Sequence, residues 1–269
     1  MQTSDVPGFF SWFGYPLPIE DRLRLIRDAG FERVSIWLGK EEACVSGNRP
    51  SDLCVTAART GLSVECAHAP YDDCNLFWSD GDAAEEPLLG DALSWIRFCG
   101  AQGIPVMVMH LTRGDDPPNP SAAGIARIGN LVEEASRSSV VIARENTRKT
   151  AAIDRALSEI DSPHLGFCYD SSHDFLYASR PADILRRWGA RLAYTHLSDN
   201  DGTRDRHWIP GRGTIDWALI RDALPTRSSL PLSLEVVPID PGSGSAESFL
   251  RESMERGTAL VRMLTGDAA

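Results

Sequence analysis

No membrane span is written into this chain: no stretch approaches the ~20 consecutive apolar residues that a transmembrane helix needs. The first residues, MQTSDVPG, lack the basic-then-apolar order of a secretory signal, so a cytoplasmic protein without a membrane partner is expected. An excess of positive charge is missing too. Lys and Arg number 27 against 38 Asp and Glu, a formal net charge of −11. That balance speaks against tight, non-specific binding to nucleic acid, where phosphate neutralisation dominates affinity. The six cysteines (Cys44, Cys54, Cys66, Cys74, Cys99 and Cys168) form no C-x-x-C pair and no regular framework. A chain of 269 residues needs no disulfide stapling, so free and mostly buried thiols are expected. Linkers, low-complexity segments and breaks in composition are also absent, and residues 1–269 read as one domain.

What is present is alternation. Apolar strand-like runs at Phe9–Tyr15, Arg33–Leu38, Leu62–His68, Val106–Leu111, Val140–Glu145, Leu165–Asp170, Leu192–Leu197 and Leu232–Val236 take turns with amphipathic helical ones. The helical runs are Ile19–Ala29, Ser51–Arg59, a long one ending near Gly103, Ala122–Ser136, Ala151–Ile160, Ala182–Trp188, Ile215–Leu224 and Ala246–Leu264. Strict alternation implies parallel strands, and eight strand–helix units at this length imply a closed α/β barrel, a single (β/α)8 TIM barrel.

In such a barrel the chemistry sits at the C-terminal ends of the strands. Those ends carry His68, His110, Glu145, Asp170 followed by His173, His196, and Glu235. The loop after the seventh strand adds Asp205 and His207, which leave the same face of an extended segment. Five of the six histidines therefore fall on one rim, and His164 is left as an ordinary surface residue. Ionisable groups gathered in one pocket destabilise it unless a cation or a network compensates them, and a divalent metal ion is the simplest compensation. Cys66 and Cys168 precede His68 and Asp170 by two, so on strands they share a face with those residues.

Asp170-Ser171-Ser172-His173, the segment from His196 to Gly213, and the isolated Glu145 and Glu235 resemble the xylose isomerase-like TIM-barrel superfamily. That superfamily holds sugar (phosphate) isomerases and epimerases together with endonuclease IV-like AP endonucleases, the AP endonuclease family 2. The resemblance covers essentially the whole chain. It implies that Glu145, Asp170, His196 and Glu235 match the single divalent-metal site of the isomerases and epimerases. It also implies that His68, His110, His173, Asp205 and His207 match the further ligands by which endonuclease IV-like members hold three zinc ions. One Zn2+ or Mn2+ ion is thus expected, with up to three open.

Two enzymes remain in view. A sugar or sugar phosphate isomerase or epimerase would pass a carbon-bound proton between Glu145 and Glu235 through an ene-diolate, with the metal gripping adjacent substrate oxygens. A zinc phosphodiesterase would turn a metal-activated water on phosphorus instead. The acidic loop Asp72–Glu86 holds Asp72, Asp73, Asp80, Asp82, Glu85 and Glu86 and no basic residue, which favours a small carbohydrate over a DNA duplex. A barrel that binds a sugar or metal without turnover is the non-enzymatic reading, and a homo-oligomer stays open. Arg206 and Arg212 with Trp208 are candidate substrate contacts. The arginines of this loop, Arg204 included, would equally well pair with Asp199, Asp201 and Asp205 to hold it. Trp12, Trp37 and Trp78 also lie near strand ends, where a ring could stack on a sugar or pack in the core.

Overall fold

The computed structural model describes residues 6–39, 50–79, 85–226, 232–240, 242 and 244–266. Cys44, Asp80 and Asp82, and the side chain of Glu85, lie outside the described residues.

Eight parallel strands follow one another around a barrel: β1 (Gly8–Phe10), β2 (Arg33–Trp37), β3 (Ser63–His68), β4 (Val106–His110), β5 (Val141–Glu145), β6 (Leu165–Asp170), β7 (Leu192–His196) and β8 (Ser233–Leu234). Each pairs with its neighbour in sequence, and β8 pairs with β1. Between β7 and β8 the ladder thins to one bridge, Leu197 with Leu234, where Leu197 N–H donates to the Ser233 carbonyl at 2.8 Å. The expected (β/α)8 TIM barrel is what the chain forms.

The helices α1 (Ile19–Asp28), α2 (Pro50–Arg59), α3 (Glu85–Gln102), α4 (Ala122–Ser138), α5 (Ala151–Glu159), α7 (Asp183–Trp188), α8 (Trp217–Ala223) and α9 (Ala246–Thr265) wrap the barrel, and α9 returns against α1. Helix α1 shows how: Ile19, Leu23 and Ile26 recur at helical spacing and are buried, while Glu20 and Asp21 sit in its first turn, where the helix dipole favours acid. Among the described residues no helix is long and apolar enough to cross a membrane.

The first strand is shorter than the apolar run Phe9–Tyr15 suggests. It stops at Phe10, because the chain turns outward through Gly14 at φ +83° and meets Pro16 and Pro18. A further helix, α6 (Ser171–Tyr177), lies between the sixth strand and the run Ala182–Trp188, where no helix is expected from the sequence. The Asp170 side chain caps it by accepting the His173 backbone N–H at 2.7 Å.

Candidate metal centre and its mouth

Strand alternation builds the centre in layers. Cys66, Val108, Ala143, Cys168 and Tyr194 form a buried cluster inside the barrel. Two residues beyond each, on the same face, come His68, His110, Glu145, Asp170 and His196. Register then sets neighbours: His110 lies opposite Glu145, and Asp170 opposite His196. The thiols beneath are inert. Burial pushes Cys168 up to about 12 and Cys66 well above its ordinary value.

The loop after β7 brings two more groups over this layer. Asp199 organises it, accepting N–H bonds from Asn200 (2.9 Å), Gly211 (2.8 Å) and Ile215 (3.1 Å) while its backbone bridges Trp208. Gly213 has no room for a side chain, since a Cβ there would lie 2.1 Å from the Asn200 carbonyl oxygen. His207 adopts φ +50°, an uncommon conformation for a non-glycine residue but one that histidine tolerates better than most. The result is that Asp205 Oδ2 lies 3.1 Å from His173 Nε2 and 3.0 Å from His207 Nε2.

Glu145 is the hub. Its Oε2 lies 3.2 Å from His68 Nε2, 3.1 Å from His110 Nε2 and 3.2 Å from His196 Nδ1, and its Oε1 lies 3.2 Å from His173 Nδ1. Glu235 Oε2 lies 3.0 Å from His196 Nδ1. Glu145, Asp170, His196 and Glu235 offer ligand atoms all within 4.8 Å of one another, and so do His68, Glu145 and His196. Among the described residues these are the two groups so gathered.

The hydrogen bonding shows what this geometry lacks. His68, His173 and His207 each place Nδ1 against a backbone carbonyl, of Ala69 (2.9 Å), Asn146 (2.9 Å) and Glu235 (3.2 Å). A carbonyl only accepts, so Nδ1 carries the proton, and in the neutral ring Nε2 turns a lone pair toward a carboxylate. Lone pair against carboxylate is repulsive unless a proton or a cation lies between them. Moreover, both ring nitrogens of His196 and the Oδ2 of Asp170 are buried without a hydrogen-bond partner, although Glu235 approaches His196 to 3.0 Å. Close oxygens and nitrogens that miss hydrogen-bond geometry are what ligands converging on one point look like. Three carboxylates and an imidazole suit Mn2+, Mg2+ or Zn2+, and the backbone-anchored histidines supply the outer support such sites use.

Without a cation, protons hold the cluster together. Burial raises Glu145, but His110 and His196 outweigh it and keep the carboxyl well below its usual range. Glu235 is likewise brought down to about 2 against burial, by His196 and His207. Burial lowers His207, yet Glu235 and Asp205 push it up to about 10. His196 is also held well above its ordinary value, burial being outweighed by Cys168, Glu235 and Glu145. Burial dominates at Asp170 and lifts it to about 7.

The family model described as xylose isomerase-like TIM barrel matches residues 23–255 of this chain. The chain belongs to that family. One relative, the uncharacterized protein y4fM of Sinorhizobium fredii (strain NBRC 101917 / NGR234), is 37% identical over 187 residues, 63% of this chain and 58% of its own length. The chain's match thus spans little more than half of that protein. Fructoselysine 3-epimerase of Escherichia coli O157:H7 is 23% identical over 277 residues, 94% of this chain and 98% of its own. Among solved structures, a D-tagatose 3-epimerase-like protein superposes with a TM-score of 0.76 at 17% identity, covering 98% of this chain and 100% of that one.

On this xylose isomerase-like barrel all nine residues read from the sequence as metal candidates sit at one end, around Glu145 and Asp205. His164 sits away from them, its Nδ1 2.8 Å from the Val140 carbonyl oxygen. Arg206, Arg212 and Trp208 are placed differently. Arg206 is bound to Asp201 through Nε (3.0 Å) and Nη2 (2.8 Å) and lies over the Trp208 ring. Arg212 binds Glu252 and lines a separate hollow of about 390 Å³ with Tyr15 and Phe249. Trp78 is core, donating to the Leu111 carbonyl at 2.6 Å, whereas Trp37 leans on His68 with ring centroids 5.2 Å apart. The mouth over the centre is a smaller pocket of about 220 Å³, lined in part by His110, His173 and Asp205. Its remaining wall comes from the loops after β3, β4 and β5 and from α6, including Tyr71, Arg113, Arg148 and Tyr177. None of these four ends a strand, and the sequence draws attention only to Arg113, as a basic residue of the loop after the fourth strand that Asp115 and Asp116 closely follow. Arg113 and Arg148 follow His110 and Glu145 by three, and that spacing was the available signal.

Proposed function

We propose that this chain is a divalent-metal-dependent sugar or sugar phosphate isomerase or epimerase, working by proton transfer between Glu145 and Glu235. The observation that carries it is the four-residue cluster of Glu145, Asp170, His196 and Glu235, gathered within 4.8 Å with His196 and Asp170 Oδ2 left unpartnered. These four would hold one Mn2+ or Zn2+ ion. Bound there, such an ion would polarise adjacent hydroxyl and carbonyl oxygens of a sugar and make the neighbouring C–H more acidic.

The chain's own residues do the rest. One glutamate takes the proton from the substrate carbon, and the other returns a proton to the opposite face for epimerisation or to the neighbouring carbon for isomerisation. Their environments differ, as this division requires: Glu145 is 2% exposed among four histidines, while Glu235 is 19% exposed beside His196 and His207. His68, oriented by the Ala69 carbonyl, places Nε2 3.2 Å from Glu145 Oε2, a contact that a bound proton or cation would make favourable. Relatives named for 3-epimerase activity support a small carbohydrate as substrate. So does the formal net charge of −11, which disfavours a DNA duplex.

The test is turnover in D2O with Mn2+ or Zn2+ on a panel of ketoses, including D-psicose, D-tagatose and fructoselysine, beside an abasic-site oligonucleotide. Deuterium at the carbon next to the carbonyl is expected. Cleavage of the oligonucleotide at enzymatic rates, with no exchange on any sugar, would overturn the reading.

A further inference from the structure

Two stacked ladders climb from Glu145 to the lip of the pocket. On one side His110 contacts Glu145, Tyr71 stacks on His110 with centroids 4.4 Å apart and planes 9° apart, and the Arg113 guanidinium lies 5.5 Å over Tyr71. On the other His173 contacts Glu145, Tyr177 stacks on His173 at 5.9 Å and 30°, and the Arg148 guanidinium lies 4.3 Å over Tyr177. All six side chains line the same pocket of about 220 Å³, a space of about seven waters. Each tyrosine face therefore sets the plane of a cation at the end of the pocket away from the ligand cluster.

The guanidiniums are not saturated. Arg113 donates through Nη1 to Asp72, and Arg148 through Nη2 to Asp115 at 2.7 Å. Their other guanidinium donors have no hydrogen-bond partner among the described residues. The two aspartates are 79% and 94% exposed, so these pairs hold weakly and exchange readily for an anion inside the pocket. The remaining acid on the wall, Asp205, is already shared by His173 and His207. A guanidinium fork pairs with two oxygens of one carboxylate or phosphate, a fit that a sugar hydroxyl does not offer.

We propose that Arg113 and Arg148 form an oxyanion grip, and that the substrate is a sugar bearing a phosphate or carboxylate at the end remote from its reacting carbon. This deepens the proton-transfer reading and rests on it for the placement of that carbon.

The test uses D-fructose, D-fructose 6-phosphate and D-fructuronate, which share a hydroxy-ketone head and differ at the far carbon. Binding to the Mn2+-loaded protein is measured by calorimetry, and exchange in D2O is followed in parallel. At least one charged sugar should bind about tenfold or more tighter than D-fructose, the size expected of charge-assisted hydrogen bonds. Which one does so separates phosphate from carboxylate. That ratio should fall toward one in Arg113→Gln/Arg148→Gln. In Arg148→Lys, which keeps the charge and loses the fork, it should be intermediate. Equal binding of all three sugars, or a preference that survives in the double variant, overturns the grip. An arginine-dependent preference without exchange on any sugar leaves the grip standing and removes the proton-transfer reading. Exchange on D-fructose without a charge preference does the reverse.

Discussion

Replacing Asp170 separates its two jobs. Its Oδ1 caps α6 by accepting the His173 N–H, and its Oδ2 is buried with no hydrogen-bond partner inside the ligand cluster. Asp170→Asn keeps the shape and a capping oxygen, because asparagine caps about as well as aspartate, and it removes the charge. The sign of the charge effect follows from burial, which lifts Asp170 to about 7 from an unfolded value near 3.8. A raised carboxyl gives the folded state its full benefit below pH ~3.8 and loses it as pH rises through about 7. At pH 8, without metal, Asp170→Asn should therefore be at least as stable as the wild type. Asp170→Ala also loses the cap, about 1 kcal/mol, and should melt roughly 2–4 °C below Asp170→Asn. Metal reverses the order. An ion at a hundredfold excess over its Kd adds about 2.7 kcal/mol to the wild type, roughly 5–10 °C in Tm, and both variants should lose most of that increment. Scanning calorimetry in EDTA and then in excess Mn2+ reads both effects. A full Mn2+ increment in Asp170→Asn would show that Asp170 is not a ligand.

Glu235→Gln should lose deuterium exchange by at least a hundredfold, the range of general-base contributions, while calorimetry checks how much Mn2+ binding survives the weaker donor. Because His196 and His207 are held above the ordinary histidine value, their stabilising charge is fully present below pH ~6.5 and is lost as pH rises. In EDTA the Tm should fall between pH 6.5 and 8.5, and saturating Mn2+ should flatten that slope by taking the place of protons; a rise in EDTA would refute the sign. Arg144 points from β5 into the helix layer with Nε and Nη2 buried and unpartnered, and burial brings it down to about 9. Arg144→Met should raise the Tm by an amount equivalent to about 1–3 kcal/mol with or without metal, and a lower Tm would show that the guanidinium is compensated. At Gly124 a Cβ would sit 2.2 Å from the Trp78 ring and 2.8 Å from the Phe77 carbonyl, so Gly124→Ala should cost about 1–3 kcal/mol in chemical denaturation.

Much of this was legible in the sequence, for a physical reason. A barrel strand presents alternate residues inward, so a polar residue closing an apolar run, as Glu145 and His196 do, declares both its strand end and its direction. Asp205 and His207 were readable through their spacing. The mouth was not, because Tyr71 and Tyr177 gain meaning only by stacking on His110 and His173, residues far from them in the chain. Arg206 and Arg212 drew attention by sitting in the right loop, and Asp201 and Glu252 engage them there. Helix α6 was hidden because Ser171-Ser172 favours turns, and the cap from Asp170 tips the balance.

The most direct test of the central claim is anomalous diffraction from crystals of the Mn2+-loaded protein. A single strong peak within ligand distance of Glu145, Asp170, His196 and Glu235 is expected. No peak at those four residues, or one held by His173, Asp205 and His207 in their place, would contradict it.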